Sequence, residues 1–369
     1  VLANSDEQMI SVEAALQLVM KLSQEPALHG EMCVSGLLKC LHDLPAEFEG
    51  TSCAAMCNIA GGAVVGKDLQ YERLYKVATA KDSVEVLIWA MQKCTKPAAI
   101  DVRIAGVQAV GHLSLFSISS QRSSARMDTG PPMALSKCID CGIVGTLTDM
   151  LAAGHDELVD AALDTLTHLS ESETDGRTFS SVPIVDAALG IVGSKNIKRV
   201  NRAVRLLCRV SVANPDYAHQ VYVDPRCGLV RVLRAAFDFK FDCGHLLCIW
   251  SRKPQVLAEM VSHHSVVGTM TAFAIQVSNE DQLAHAVTGF EMLLMSNLAM
   301  VVDEDGIMVV WKMAESEHAG SDVRARCLTM LTTIAVNGGG QYKGRMQTDG
   351  AVQFLRGIAN SSTSARPDV

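Results

Sequence analysis

The chain has 369 residues, 49% of them hydrophobic but only 5% aromatic, with a mean hydropathy of +0.20 and a net charge of −8. So few aromatics beside abundant Ala, Leu, Val and Met favour helices packed through small, flexible side chains over a β-rich core. The acidic balance gives no reason to expect nucleic acid or an anionic membrane surface as partner.

From the N-terminus onward one segment recurs: an apolar helix of period near 3.6 residues that closes on a small cluster of polar, apolar and small residues. A degenerate copy ends at Lys21-Leu22-Ser23. Later copies end at Asn58-Ile59-Ala60, His112-Leu113-Ser114, His168-Leu169-Ser170, Arg209-Val210-Ser211, Ile249-Trp250-Ser251, Asn297-Leu298-Ala299 and Thr333-Ile334-Ala335. The intervals between middle residues are 37, 54, 56, 41, 40, 48 and 36, a mean of about 45, inside the roughly 40–47 residues of armadillo and HEAT arrays. Within one copy Val159, Ala162, Leu163, Leu166 and Leu169 form an amphipathic stripe, and Val323, Cys327, Met330, Leu331 and Ile334 repeat it.

A second helix precedes each of these, often opened by Gly after an acidic or polar residue, as in Asp140-Cys141-Gly142, Asp224-Pro225-Arg226-Cys227-Gly228, Asp303-Glu304-Asp305-Gly306 and Asp349-Gly350. The Asp residues are expected to cap those helices. The long intervals mark surface insertions at about 61–83 and 117–137, the latter Ser-rich around Gly130-Pro131-Pro132. No linker separates independent cores, so residues 1–360 are expected to form one continuous domain, followed by a disordered tail at 361–369.

Segments such as Cys141-Gly142-Ile143-Val144 through Leu166-Thr167-His168-Leu169-Ser170 resemble the armadillo repeat, with its Gly-led second helix and a third helix ending in Asn-Leu-Ala. The resemblance covers nearly the whole chain and implies an all-α, right-handed superhelical solenoid of about seven to eight armadillo/HEAT-like repeats. It further implies a concave groove lined by the third helices. In peptide-binding armadillo proteins an Asn near the end of each third helix grips an extended peptide, and in the importins a Trp one turn earlier makes slots for basic side chains. Here only Asn58 and Asn297 match that Asn, and no Trp precedes either. The groove positions are taken instead by Gln108, His112, Asp164, His168, Arg202, Arg205, Arg209 and His245.

Residues 195–234 hold nine Lys/Arg and two Asp, net +7 against −15 for the rest of the chain. Arg202, Arg205 and Arg209 recur on one helical face, opposite the apolar Val200, Ala203, Val204, Leu207 and Val210. Three guanidiniums within two turns call for an anionic group across them, from a partner's acidic segment or from the chain itself.

The remaining motifs lack the context their chemistry needs. Residues 61–68 match G-x-x-x-x-G-K, but a helix precedes them and Asp68 stands where a phosphate loop needs a hydroxyl. Cys138-Ile139-Asp140-Cys141 has no second pair to complete a zinc site, and His263-His264 has no H-E-x-x-H partner. The uncharged runs 104–121 and 260–279 carry His or Gln mid-run and read as short helical pieces rather than membrane spans. Twelve cysteines without a framework, including Cys53, Cys57, Cys208 and Cys327 in apolar helical patterns, fit a reducing compartment, foremost the cytoplasm.

The sequence therefore points to a non-catalytic protein–protein interaction scaffold, or structural subunit of a larger assembly, with no cofactor and no metal. The alternative is an armadillo-type regulator of a chaperone or other enzyme, similar to a nucleotide-exchange factor.

Overall fold

The computed structural model describes residues 83–93, 138–172, 183–303, 305–337, 339–348 and 350–364. It also describes short pieces at 14–19, 21–22, 37, 41, 51, 55–56, 100, 103–104, 106–108 and 110–111. All regular structure among the described residues is helical. The chain is described as two compact units, Val1–Ile191 and Val192–Val369.

Unit 1 contains α1 (Ser83–Lys93), α2 (Ile143–Leu151), α3 (Asp156–Ser172) and α4 (Ile184–Val192), the last ending at the unit boundary. Helix α2 packs on both α1 and α3. The expected stripe of α3 is its core face, since Val159, Ala162, Leu163, Leu166 and Leu169 are all buried, against Ile143, Val144 and Leu147 of α2 in the same core. Each such aliphatic side chain is worth about 1.5–3 kcal/mol over leaving it in water. Two side-chain bonds tie the elements together. Gln92 Nε2 donates to Thr146 Oγ1 at 3.0 Å, and Thr165 Oγ1 donates to the carbonyl of Val107 at 3.2 Å.

Unit 2 contains α5 (Ile197–Ala213), α6 (Pro215–Val223), α7 (Gly228–Ala235), α8 (Lys240–Trp250), α9 (Pro254–Met260), α10 (Ser265–Ala274), α11 (Glu280–Ser296), α12 (Leu298–Asp303), α13 (Gly306–Glu315), α14 (Ser321–Asn337), α15 (Gly339–Thr348) and α16 (Ala351–Ser364). Three sets of three recur in it: α6, α7, α8; then α9, α10, α11; then α12, α13, α14. The last helix of each set packs on the last helix of the next, in the order α5, α8, α11, α14. The middle helices do the same, in the order α7, α10, α13, α16. Trp250, Phe273 and Phe290 fill the core, and the buried indole of Trp250 donates to the Ala218 carbonyl at 2.8 Å. The stripes Val200, Ala203, Val204, Leu207, Val210 and Val323, Cys327, Met330, Leu331, Ile334 are buried as expected.

Helix starts follow two designs. Asn196, Asn214 and Asn279 cap α5, α6 and α11 through their side-chain oxygens, with Pro215 adding a preset turn to α6. The Gly-led helices start differently from expectation. Gly142 (φ 77°) precedes α2, Gly228 (φ 62°) opens α7 and Asp305 (φ 61°) precedes α13; none of these starts has a side-chain cap. The left-handed residue reverses the chain between helices, a conformation Gly takes freely at 142 and 228, whereas Gly306, after left-handed Asp305, is required because a Cβ there would run into the Val301 carbonyl. Asp224 serves the turn rather than the helix, accepting from the Arg226 backbone N–H at 2.8 Å and from its guanidinium. At the C-terminal end, residues 361–364, expected in the tail, continue α16.

Candidate functional site

Each unit brings expected groove residues together. In unit 1, Gln108, Asp164 and His168 line one depression of about 420 Å³, with Glu157 and Asp160 beside them. Glu157, Asp160, Asp164 and His168 recur every three or four residues along α3, opposite its buried stripe, so the helix presents an acidic face there. Gly111 approaches closely: a Cβ there would lie 2.8 Å from Thr165 Oγ1.

In unit 2 the basic face of α5 meets the start of α8. Asp242, 4% exposed, accepts from Arg205 Nε at 2.7 Å and pairs through its other oxygen with Arg209. The anionic group that the arginines call for thus comes, at Arg205 and Arg209, from the chain's own next long helix. The guanidinium of Arg205 lies over the Phe239 ring at 5.0 Å and that of Arg209 over Phe241 at 5.4 Å, which holds both planes in place. One turn before Arg205, Asn201 Nδ2 donates to Asp238 at 2.7 Å.

His245 lies one turn beyond Asp242 on α8. It is 6% exposed, stacks on Phe273 at 4.3 Å, and its Nε2 faces Nδ1 of His285 on α11 at 2.8 Å. Burial pushes the His245 imidazole down to about 3, helped by His285 and the guanidiniums of Arg209 and Arg252. His285 is lowered by burial and by Arg252, against an opposing pull from Asp281. Farther along, Arg326 on α14 donates to Glu291 at 2.6 Å and Thr288 at 3.0 Å, both on α11. Successive long helices are thus joined by polar contacts beside their apolar packing.

Asn297 ends α11, and its side chain accepts from the Met300 N–H at 3.1 Å, which caps α12. Asn58, His112, the 61–68 motif and the 117–137 insertion lie outside the described residues, as does the 61–83 insertion up to the start of α1. Cys138 is buried and its thiol is pushed up to about 12, chiefly by burial, while Cys141 is half-buried. His263 and His264 sit in the turn between α9 and α10. Among the described residues no three or more His, Cys, Asp or Glu are grouped to hold a metal ion. None of the helices described is long and apolar enough to cross a membrane.

Sequence reasoning missed Asp242, His285, Glu291 and Arg326, whose partners lie 33–40 residues away. The signal was available, because each pair is separated by about one interval of the repeat.

No family model matches the chain, and no curated protein does. A crystal structure of an engineered protein shares 16% identity over 82% of this chain and 96% of its own, with a TM-score of 0.35. At that score it bears on neither fold nor function.

Proposed function

We propose that the chain is a non-catalytic protein-binding scaffold of armadillo-like α-solenoid repeats, which holds a partner along the faces of its long helices. The carrying observation is the sequence span of the long-range side-chain bonds. In unit 2, Asn201–Asp238 and Arg205–Asp242 span 37 residues, His245–His285 spans 40, Arg326–Glu291 spans 35 and Tyr222–Glu259 spans 37. In unit 1, where the sequence intervals lengthen to 54 and 56, the bonds Gln92–Thr146 and Val107–Thr165 span 54 and 58. Bonds one period long are what a solenoid makes, since each repeat touches only its neighbours. The repeated stacking of long helix on long helix in unit 2 supports the same reading.

Such an array leaves one side of each long helix facing outward with polar groups, a surface suited to an extended partner. Site-specific photo-crosslinking in cells tests this. A benzophenone side chain at position 164, 202 or 332, on α3, α5 or α14, is expected to capture a shared partner, identified by mass spectrometry. The same group at Val230, on the middle helix α7, is expected to miss it. Capture at 230 as efficient as at the long-helix positions, or none at the latter, overturns the proposal.

A further inference from the structure

We propose that His245 and His285 form an acid-operated latch between α8 and α11, shut while the pair holds a single shared proton or none extra and released when both rings are charged. The inference does not depend on the scaffold reading, because it concerns the joint between two long helices whatever they bind.

The geometry makes the pair a latch. Two imidazole nitrogens 2.8 Å apart are joined by one N–H; each neutral ring can be donor or acceptor, so one donates and the other accepts. Doubly protonated rings are donors only, and two N–H groups would then point at each other across that gap. His245, buried on α8, has little room to turn away. His245 is fixed by its near-parallel stack, 12° from the plane of Phe273. Its helix is clamped on both sides. A Cβ on the adjacent Gly244 would run into the Thr269 carbonyl and come within 2.7 Å of Phe273 Cβ on α10. On the other side Gly289, one turn beyond His285, brings α11 so near α8 that an added Cβ would lie 3.0 Å from Cys248 Cα. With helices this close and His245 held in place, repulsion between like-charged rings works directly against the contact of α8 with α11.

The surroundings oppose charge on the rings. Among the described residues, the charged groups that reach the pair are Arg209 from α5, Arg252 just past α8 and Asp281 on α11. Helix α10 contributes only neutral side chains. Asp242, on the same helix as His245, is already engaged by Arg205 and Arg209. Only Asp281 favours protonation, and it acts on His285 alone.

The sign follows from linkage. Once the helices part, each histidine regains an ordinary affinity, near pH 6.5. The parted state therefore binds protons that the closed state refuses, so the closed state is fully favoured above about pH 6.5 and loses ground as pH falls toward 3. The loss is tenfold per pH unit per refused proton, or about 30-fold at pH 5 for His245 alone.

Hydrogen exchange on the full chain, corrected for intrinsic rates, at pH 7.5 and 5.0 reads the latch directly. Amides of α8 and α11 are expected to open about 30-fold more at the lower pH, while those of α13 and α14 change less than about threefold. His245→Phe keeps a ring against Phe273 but removes the refused proton, and is expected to abolish most of the rise. An equal rise in parent and variant, or in every helix alike, overturns the latch. Should the variant fail to fold, nitrogen-15 NMR of the parent's imidazoles decides. His245 staying neutral at pH 5 while α8 and α11 remain closed supports the latch; protonation of both rings in the closed state overturns it.

Discussion

Asp242→Asn isolates the node between α5 and α8. The substitution preserves shape but leaves two guanidiniums facing a neutral amide at a site where the acid is 4% exposed. Removing one member of a buried ion pair costs about 3–5 kcal/mol, because the partner's charge stays buried. Here 23% of Arg205 and 20% of Arg209 remain exposed, and water screens part of the penalty, so the expected loss is about 2–3 kcal/mol. Replacing both arginines with Met removes the stranded charges. In that background the same Asp242→Asn change should cost less than about 1 kcal/mol, the difference being the coupling. Urea denaturation measures both legs of the cycle. A loss below about 0.5 kcal/mol in the parent, or one undiminished without the arginines, refutes the view that Asp242 neutralises this face.

Gly228→Ala forces an L side chain into the left-handed region and brings its Cβ 3.4 Å from the Tyr222 carbonyl; a loss of about 1–2 kcal/mol is expected in thermal melts. At Gly142 there is nothing within 4 Å, so Gly142→Ala should cost only the backbone part, about 1 kcal/mol; an equal or larger loss there would mean that the contact at Gly228 is immaterial. The thiols of Cys227 and Cys327, pushed up to about 12 chiefly by burial, should resist maleimide at pH 7.5 in the folded chain while half-buried Cys141 reacts first. Labelling of Cys227 at the rate of Cys141, followed by mass spectrometry, would contradict the burial.

The apolar stripes were legible in sequence because a helix puts every third or fourth residue on one face, and that geometry needs no knowledge of the rest of the fold. Val159 through Leu169 and Val323 through Ile334 are buried as that rule requires. The polar site was half legible. Arg205, Arg209 and His245 stood out by position on the long helices, but their partners lie on the next long helix, and no local periodicity ties residue 205 to 242 or 245 to 285. The Asp residues ahead of the Gly-led helices suggest caps, because carboxylates favour helix starts. At Gly142 and Gly228 the tight reversal before the helix takes a left-handed residue instead. Asn297 could equally have held a peptide or capped a helix, and only the position of the Met300 amide distinguishes the two.

The short sequence span of the bonds between long helices in unit 2 also bears on how the chain acquires its structure. Partners 33–43 residues apart in a chain of 369 are separated by roughly a tenth of its length, and short sequence separation favours fast folding. No bond among those described in this unit waits for a distant terminus. As the chain leaves the ribosome, α5 can find Asp242 as soon as α8 has emerged, and His245 can find His285 one helix set later. Each newly made set then serves as the template against which the next one closes.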